Sequence, residues 1–596
     1  MEMRVSDYIA HHLADCGVRA AYMLSGGGMM HLIDAVGRES RIKYYCNHHE
    51  QASAMAAEGY ARQTGTLGVC YATSGPGGTN LLTGVTGAWL DSSPILLLTG
   101  QSKLACTIRG SGIPELRQFG TFEVNIVPIV ESITKYAVFL DDPKLVRFHL
   151  EKAIYLATHG RPGPVLIDIP LDIQGAKVNI DELIGFSPDD TGVSDLDDAL
   201  LDTIRIKLQQ AKRPLILAGH GINCAGRAMQ FRKLVAALDI PVATTQLAKD
   251  LLAYDSPNFV GHPGVKGDRA GNFAVQNADV LLSVGCSMHE QTTGYEAEGF
   301  APNTYKIQIE IDRAILKREH IGVPMKIECS VENFFGKAAR KLHVEKSPAH
   351  QAWKKRCQDW KMKYAVRNEP HLLEGGPINF YEFADCLSDV VDEHATIVTD
   401  AGSAFYVMGQ AFRVKQGQRY IVSGGLGAMG YALPASIGAC ADDANRTVVC
   451  VTGDGSLQVN IHELQVLRHY NLNLKLFVIN NDGYVSIRNT QQSFFNGNFV
   501  GSSKDSGVSL PTLNKVAESY GLPYLECKLR ENLADILAKV LATKGPIICG
   551  IQAQSDQKII PSVSSKVLPD GSMKSMPLHH MYPFLDDEEI NYNMSN

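Results

Sequence analysis

The chain has 596 residues, 45% of them hydrophobic and 20% charged, with a formal net charge of −7. That length exceeds one hydrophobic core and predicts about three domains, and the charge offers no basic face for a polyanion, which excludes nucleic acid as the expected partner. No apolar run approaches the roughly 18 residues that span a bilayer, and the thirteen cysteines form no CxxC pair, a pattern of buried thiols in a reducing cytoplasm.

Residues 1–20 read as an amphipathic helix with charges throughout, not as a cleaved leader. Short β-rich runs then alternate with helical stretches, the pattern of parallel sheets covered on both faces by helices. The expected buried strands are 67–71, 95–99, 165–169, 215–218, 280–284, 447–451 and 474–479. Together they predict an α/β protein of three doubly wound domains, 1–180, 195–345 and 376–555, with a tail, 556–596. The Asp-rich stretch 181–202 leads into the second domain, and the charged stretch 346–376 reads as a linker to the third. The Ser-, Pro- and Met-rich tail reads as a packed extension or as a mobile one. No sequence repeat is visible.

Chemistry-bearing residues cluster in the first and third domains. Ser25-Gly26-Gly27-Gly28 and Ser74-Gly75-Pro76-Gly77-Gly78-Thr79-Asn80 are glycine loops that singly are ordinary turns. Glu50 opens an Ala-rich helical stretch, where a glutamate either caps the helix or, in a buried site, moves protons. After strand 447–451, Gly453-Asp454-Gly455-Ser456 opens the helical stretch 458–469. Glycines there let backbone approach a phosphate, a helix N-terminus favours an anion, and the aspartate suits a hard cation such as Mg²⁺. Strand 474–479 runs into Asn480-Asn481-Asp482-Gly483, which presents the Asn481 side-chain oxygen and the Gly483 carbonyl to the same ion.

The pairing of Gly-Asp-Gly with a later Asn-Asn resembles the signature of thiamine diphosphate enzymes. So do His49-Glu50-Gln51 followed by Glu58-Gly59-Tyr60-Ala61-Arg62, the Thr73–Asn80 loop, and the run Ser423–Gly430. The resemblance implies two thiamine diphosphate-binding domains flanking a Rossmann-like middle domain. It implies Asp454, Asn481 and the Gly483 carbonyl as Mg²⁺ ligands, with Gly453, Gly455, Ser456 and Tyr484 around the diphosphate. Glu50 is implied to contact the aminopyrimidine, beside Gly75, Pro76 and Asn80, while Gly27 lies on the loop nearing the reacting carbon. Gly424 and Gly427 belong to the run that carries Met429, the residue implied to prop the coenzyme in its bent form; the alternative for Met429 is a core methionine. His48 or His49 is a candidate proton shuttle, and Gln118, in the loop 114–125, a donor to substrate oxygen. Glu58, His31, His462 and Glu463 read as structural. Because the halves of the site lie in different domains, the family's habit of sharing sites between subunits implies a homodimer or homotetramer.

Within that family the chain is most similar to acetohydroxyacid (acetolactate) synthases, over about residues 5–554, through Gly100-Gln101, Ile133-Thr134-Lys135, Arg161-Pro162-Gly163-Pro164 and Gly261–Gly267. That branch implies FAD in the middle domain, at Arg161, Gly219, Gly221, Gly264, Gly285 and Asp312. It implies decarboxylation of pyruvate and transfer of the two-carbon acyl anion to a carbonyl acceptor. Two cations of the branch are missing: Leu171 follows Pro170 where synthases have lysine, and Gln291 stands where their middle domain has arginine. No tryptophan follows Trp360. A second carboxylate therefore loses its partners, and a ketone, an aldehyde or, from the likeness of the tail 561–585 to synthase-like enzymes of sugar pathways, a nucleotide-linked keto-sugar becomes the expected acceptor. The alternatives are a true acetolactate synthase, a thiamine-dependent 1,2-dione hydrolase or lyase, and an inactive homologue, against which intact Glu50, Asp454 and Asn481 speak.

Overall fold

The computed structural model describes the chain apart from residues 189–195, 370–371, 373–376, 568–572 and 596. Three six-stranded sheets, each wholly parallel, organise it. The first holds β1 (Ala20–Met23), β2 (Lys43–Cys46), β3 (Gly68–Ala72), β4 (Ile95–Gln101), β5 (Tyr136–Phe139) and β6 (Val165–Pro170), in the order β2-β1-β3-β4-β6-β5. The second holds β7 (Pro214–Ala218), β8 (Val242–Thr244), β9 (Phe259–Gly261), β10 (Val280–Val284), β11 (Tyr305–Glu310) and β12 (Met325–Glu328), ordered β9-β8-β7-β10-β11-β12. The third holds β13 (Thr396–Thr399), β14 (Arg419–Val422), β15 (Val448–Gly453), β16 (Leu474–Asn480), β17 (Tyr524–Cys527) and β18 (Ile547–Gln552), ordered β14-β13-β15-β16-β18-β17. The α/β architecture of three doubly wound domains is as expected. The strands buried on both faces are the near-continuous apolar runs of the sequence.

The first and third sheets share one strand order, an internal duplication that the sequence does not display. Each has a switch point, where the connections leave in opposite directions: between β1 and β3, and between β13 and β15. The middle sheet switches between β7 and β10. Crevices at the carboxyl ends of such strand pairs are where open α/β sheets bind ligands.

The helices that bear on function are α1 (Glu50–Thr64), α2 (Pro348–Lys363), α3 (Ala432–Cys440), α4 (Asp454–Val459) and α5 (Asp587–Met594). Helices α1 and α3 lock the first and third domains together. A Cβ on Gly59 would lie 2.1 Å from the Ala435 carbonyl oxygen, and one on Gly438 only 1.9 Å from that of Ala56, so glycine alone permits the crossing. One apolar core runs through both domains, from Ala54 and Met55 to Leu433 and Ile437.

Two expectations need correction, and the structure decides a third that the sequence left open. The N-terminal helix is shorter, Val5–Asp15, burying Val5, Ile9 and Leu13 at helical spacing, while Glu2–Arg4 pairs antiparallel with Lys177–Asn179. The stretch 346–376 is not a simple linker: α2 buries Trp353, Cys357 and Trp360 against the middle domain. The tail is packed, α5 being pinned by the Trp360 indole N–H donating to Asn593 Oδ1 at 2.9 Å and the Tyr364 hydroxyl to Glu589 at 2.6 Å. The expected boundaries at 195 and 376 fall outside the described residues.

Candidate active site

At the switch point of the third domain, β15 ends in Gly453 and α4 begins at Asp454. The Asp454 carboxylate accepts the backbone N–H of Gly455 (2.7 Å), Asn481 (3.0 Å) and Gly483 (3.1 Å), so it joins the loops leaving β15 and β16. Burial pushes its pKa up to about 6, against those three donors: an isolated buried carboxylate lacks a counter-charge. Among the described residues no three His, Cys, Asp or Glu side chains cluster to hold a metal. A cation here would take one carboxylate with amide and backbone oxygens, the hard oxygen set that suits Mg²⁺. Gly455 is packed by the Tyr484 ring, whose Cε1 lies 2.4 Å from where a Cβ would stand. Ser456 Oγ and Asp400 both accept the Gly430 N–H, tying α4 to the segment bearing Met429. Met429 is 42% exposed, so it is not a core residue of this chain, and Gly427 beside it adopts φ +64°.

In the first domain, the loops after β1, β2 and β3 converge. Gly28 N–H donates to Thr73 Oγ1, and Gly26 packs on the same threonine so closely that a Cβ would overlap it. Glu50 is buried and accepts Asn80 Nδ2 at 3.0 Å, while a Cβ on Gly77 would stand 3.5 Å from its Oε1. Gly75 adopts φ +66°, with Pro76 opening the short helix that ends in Asn80. Its outer side meets the Phe122 carbonyl, 2.5 Å from a Cβ position, which brings the loop 114–125 over the site. Gln118 is exposed and gives one amide hydrogen to the Glu123 carbonyl, a loop-holding contact. Gly27 is exposed with open space around it. Glu50 is not the cap of α1: His49 is, its Nδ1 accepting Gln51 N–H at 3.0 Å. That accepting nitrogen gives His49 a structural task, while His48 stays exposed.

Sequence reasoning missed the residues that join the halves. Glu463, read as packing, is fully buried and accepts Asn47 Nδ2 (2.9 Å) and His48 N–H (2.8 Å), docking the Glu50 loop on the third domain. Burial raises its pKa to about 7. Asp91 accepts the N–H of Gly424 and Gly425, fixing the segment that leads to Met429. Arg488 grips the metal-loop backbone at the carbonyls of Asn481, Asp482 and Ser502. Glu58 accepts the Ser93 hydroxyl beside Arg62. His31 packs beside Gly175. Among the described residues no hydrogen bond or ion pair joins Glu50, Asn80 or the Gly75 loop to the Asp454 and Asn481 loops within one chain.

At the middle switch point lies a cleft of about 450 Å³, lined by Arg161, Gly219, Gly221, Gly285 and Glu310 and reaching Gln291. Gly219 and Gly221 touch the Gly285 backbone so closely that a Cβ on either would clash at 2.1 and 2.9 Å, leaving a floor of bare backbone. Gly264 and Asp312 stand outside the lining. Asn272 holds the Gly264 backbone through both its N–H and its carbonyl. The Asp312 carboxylate caps Ala314 and pairs with Arg161 at 2.9 Å; its pKa stays low because these partners outweigh its partial burial.

This arrangement, an acid in one domain and a cation-ready diphosphate loop in another, defines a thiamine diphosphate enzyme. Models of the thiamine pyrophosphate enzyme N-terminal, central and C-terminal domains match residues 3–118, 201–335 and 400–551. The chain is 30% identical to the acetolactate synthase large subunit of Cyanidium caldarium over 558 residues, 92% of each chain. It is 31% identical to acetolactate synthase 2, chloroplastic, of Nicotiana tabacum over 587 residues, 94% of this chain and 83% of that one. The chain belongs to the acetolactate synthase-like family of thiamine diphosphate-dependent enzymes. No helix among the described residues is long and apolar enough to cross a membrane.

Proposed function

We propose that the enzyme decarboxylates pyruvate and joins the two-carbon acyl unit to an uncharged carbonyl acceptor, a ketone, an aldehyde or the keto group of a nucleotide-linked sugar. The observation that carries this reading is the pair Leu171 and Gln291. Leu171 opens a short helix whose Gln174 donates to the Gly28 carbonyl beside the coenzyme loop. Gln291 lies at the lip of the middle cleft. Neither offers a positive charge to an acceptor carboxylate. The alternative, a true acetolactate synthase, rests on the names of the relatives above.

Thiamine diphosphate, when bound, supplies the nucleophilic carbon and electron sink that decarboxylation requires. Asp454, the Asn481 side chain and the Gly483 carbonyl would hold Mg²⁺ and, through it, the diphosphate. Glu50, one oxygen of which accepts from Asn80, would turn its other oxygen to the aminopyrimidine, and Glu463 sets the loop from which it projects. Met429 would support the coenzyme. The bare-backbone cleft at Gly219, Gly221 and Gly285 fits FAD, with Arg161 at its edge. Exposed Met429 and Phe122, and the separation of the Glu50 and Asp454 loops in hydrogen bonding, support shared sites in a homodimer or homotetramer. Among the described residues no disulfide bond joins two cysteines, which supports a reducing compartment such as the cytoplasm. The test is to restore the cations: Leu171→Lys with Gln291→Arg should raise acetolactate formation relative to ligation of a neutral acceptor. An unchanged ratio in a folded double variant would overturn the reading.

A further inference from the structure

The tail crosses behind the loop that carries Gln291, and its contacts are specific. Ile560 N–H donates to the Tyr381 hydroxyl at 3.0 Å, and that hydroxyl donates to Gln410 Oε1 at 2.7 Å. Gln410 Nε2 in turn donates to the Gly267 carbonyl at 3.0 Å and to the Pro561 carbonyl at 2.7 Å. Tyr381 and Gln410 are buried and belong to the third domain, Gly267 to the middle one and Pro561 to the tail. A single amide thus knots three parts of the chain where water cannot compete.

From the knot, the tail continues along the turn that carries Val265. Val563 N–H donates to the Val265 carbonyl at 2.8 Å, and Val265 N–H donates to the Gln291 carbonyl at 2.9 Å. Leu578 returns along the same face, lying 3.3 Å from where a Cβ on Gly294 would stand. Ser562 and Tyr582 exchange both backbone hydrogen bonds, closing the return. The tail therefore meets the segment 287–294 at two points, Gln291 within the short helix Glu290–Thr293, by way of Val265, and Gly294 just after that helix, through Leu578.

We propose that residues 560–567 and 573–582 form a positioning strap that fixes the Gln291 segment and so sets how the acceptor is captured, without taking part in the pyruvate half-reaction. The acceptor side of this proposal rests on Gln291 facing the acceptor, as argued above; the mechanical side does not. Among the described residues, neither the strap nor its Gln410 anchor hydrogen-bonds to Glu50, Asp454 or Asn481, so the two half-reactions should separate on perturbation.

The experiment uses the full chain loaded with thiamine diphosphate and Mg²⁺, in two variants. Val563→Pro removes the N–H that binds Val265; Leu578→Ala removes the contact at Gly294, and serves alone if the first fails to fold. Amide hydrogen exchange at 287–294 is expected to quicken about fivefold, the scale of one net hydrogen bond, while exchange at 47–51 stays unchanged. With acetaldehyde as a neutral probe acceptor, its KM is expected to rise by a similar factor, with carbon dioxide release from pyruvate alone unaltered. Unchanged exchange at 287–294 in the folded variants would overturn the strap. A parallel fall of carbon dioxide release and ligation would overturn its confinement to the acceptor step. Should the unmodified enzyme ligate no neutral acceptor, the acceptor reading fails while the exchange result still decides the strap.

Discussion

Gly438→Ala probes the crossing of α1 and α3, on which the placement of Glu50 depends. The new methyl would stand 1.9 Å from the Ala56 carbonyl oxygen and 2.8 Å from the Tyr60 nitrogen, both backbone atoms of α1. Reaching ordinary contact requires the helices to part by roughly 1.5 Å. Ala56 and Ala435 are fully buried, so the parting opens gaps along a close-packed core. Overpacking of this kind costs about 1–3 kcal/mol, and the better helix propensity of alanine returns about 1. A net loss of about 1 kcal/mol is expected, read as a lower urea midpoint, together with weaker activity because Glu50 is the first residue of the displaced helix. Gly336→Ala is the control: that glycine lies in the helix Val331–Lys341 with nothing within 4 Å of its Cβ position, and alanine should stabilise. If Gly438→Ala stabilised as well, propensity alone would govern and the close-crossing argument would be refuted.

Other outcomes follow from the same geometry. Glu463→Ala strands the Asn47 amide and the His48 N–H, costing about 1–3 kcal/mol, and should lower kcat more than it raises KM for pyruvate; unchanged kcat would remove Glu463 from the positioning of Glu50. Asp168, buried between Thr99 and Gln101, has its pKa raised by burial to about 7. A raised carboxyl favours folding while protonated and loses that contribution as pH climbs from about 4 through 7. The melting temperature should fall between pH 6 and 8 by less in Asp168→Asn than in the parent; an equal fall would contradict this. Arg161→Ala, opening the edge of the middle cleft, should release flavin at lower urea than the parent, measured by flavin fluorescence. A colourless parent that yields no flavin on denaturation would refute FAD there.

Much of the site was legible because its chemistry is local. Gly453–Ser456, Asn481 and Gly483 sit at the ends of apolar strands, and a strand that must be buried on both faces announces its own end. Glu463, Asp91 and Gln410 were not legible in the same way. Each acts on groups far away in the chain, as Glu463 does on residues 47 and 48, and nothing beside it in sequence marks the partner. The duplicated strand order escaped notice because it is a property of backbone topology, which different side chains satisfy equally well. Helix α2 did carry a signal: Trp353, Cys357, Trp360 and Tyr364 recur at helical spacing, but the many charges between them made the segment read as solvated. The tail is held by surface that the middle domain, the third domain and α2 provide, so its own composition left both readings open.

The most direct test of the account is to supply the enzyme with thiamine diphosphate, Mg²⁺ and pyruvate, with and without a neutral carbonyl acceptor, and to measure acetolactate beside the mixed ligation product. The account predicts slow acetolactate formation from pyruvate alone and diversion of the acyl unit to the neutral acceptor when it is present. Rapid acetolactate formation that the neutral acceptor fails to suppress would contradict it.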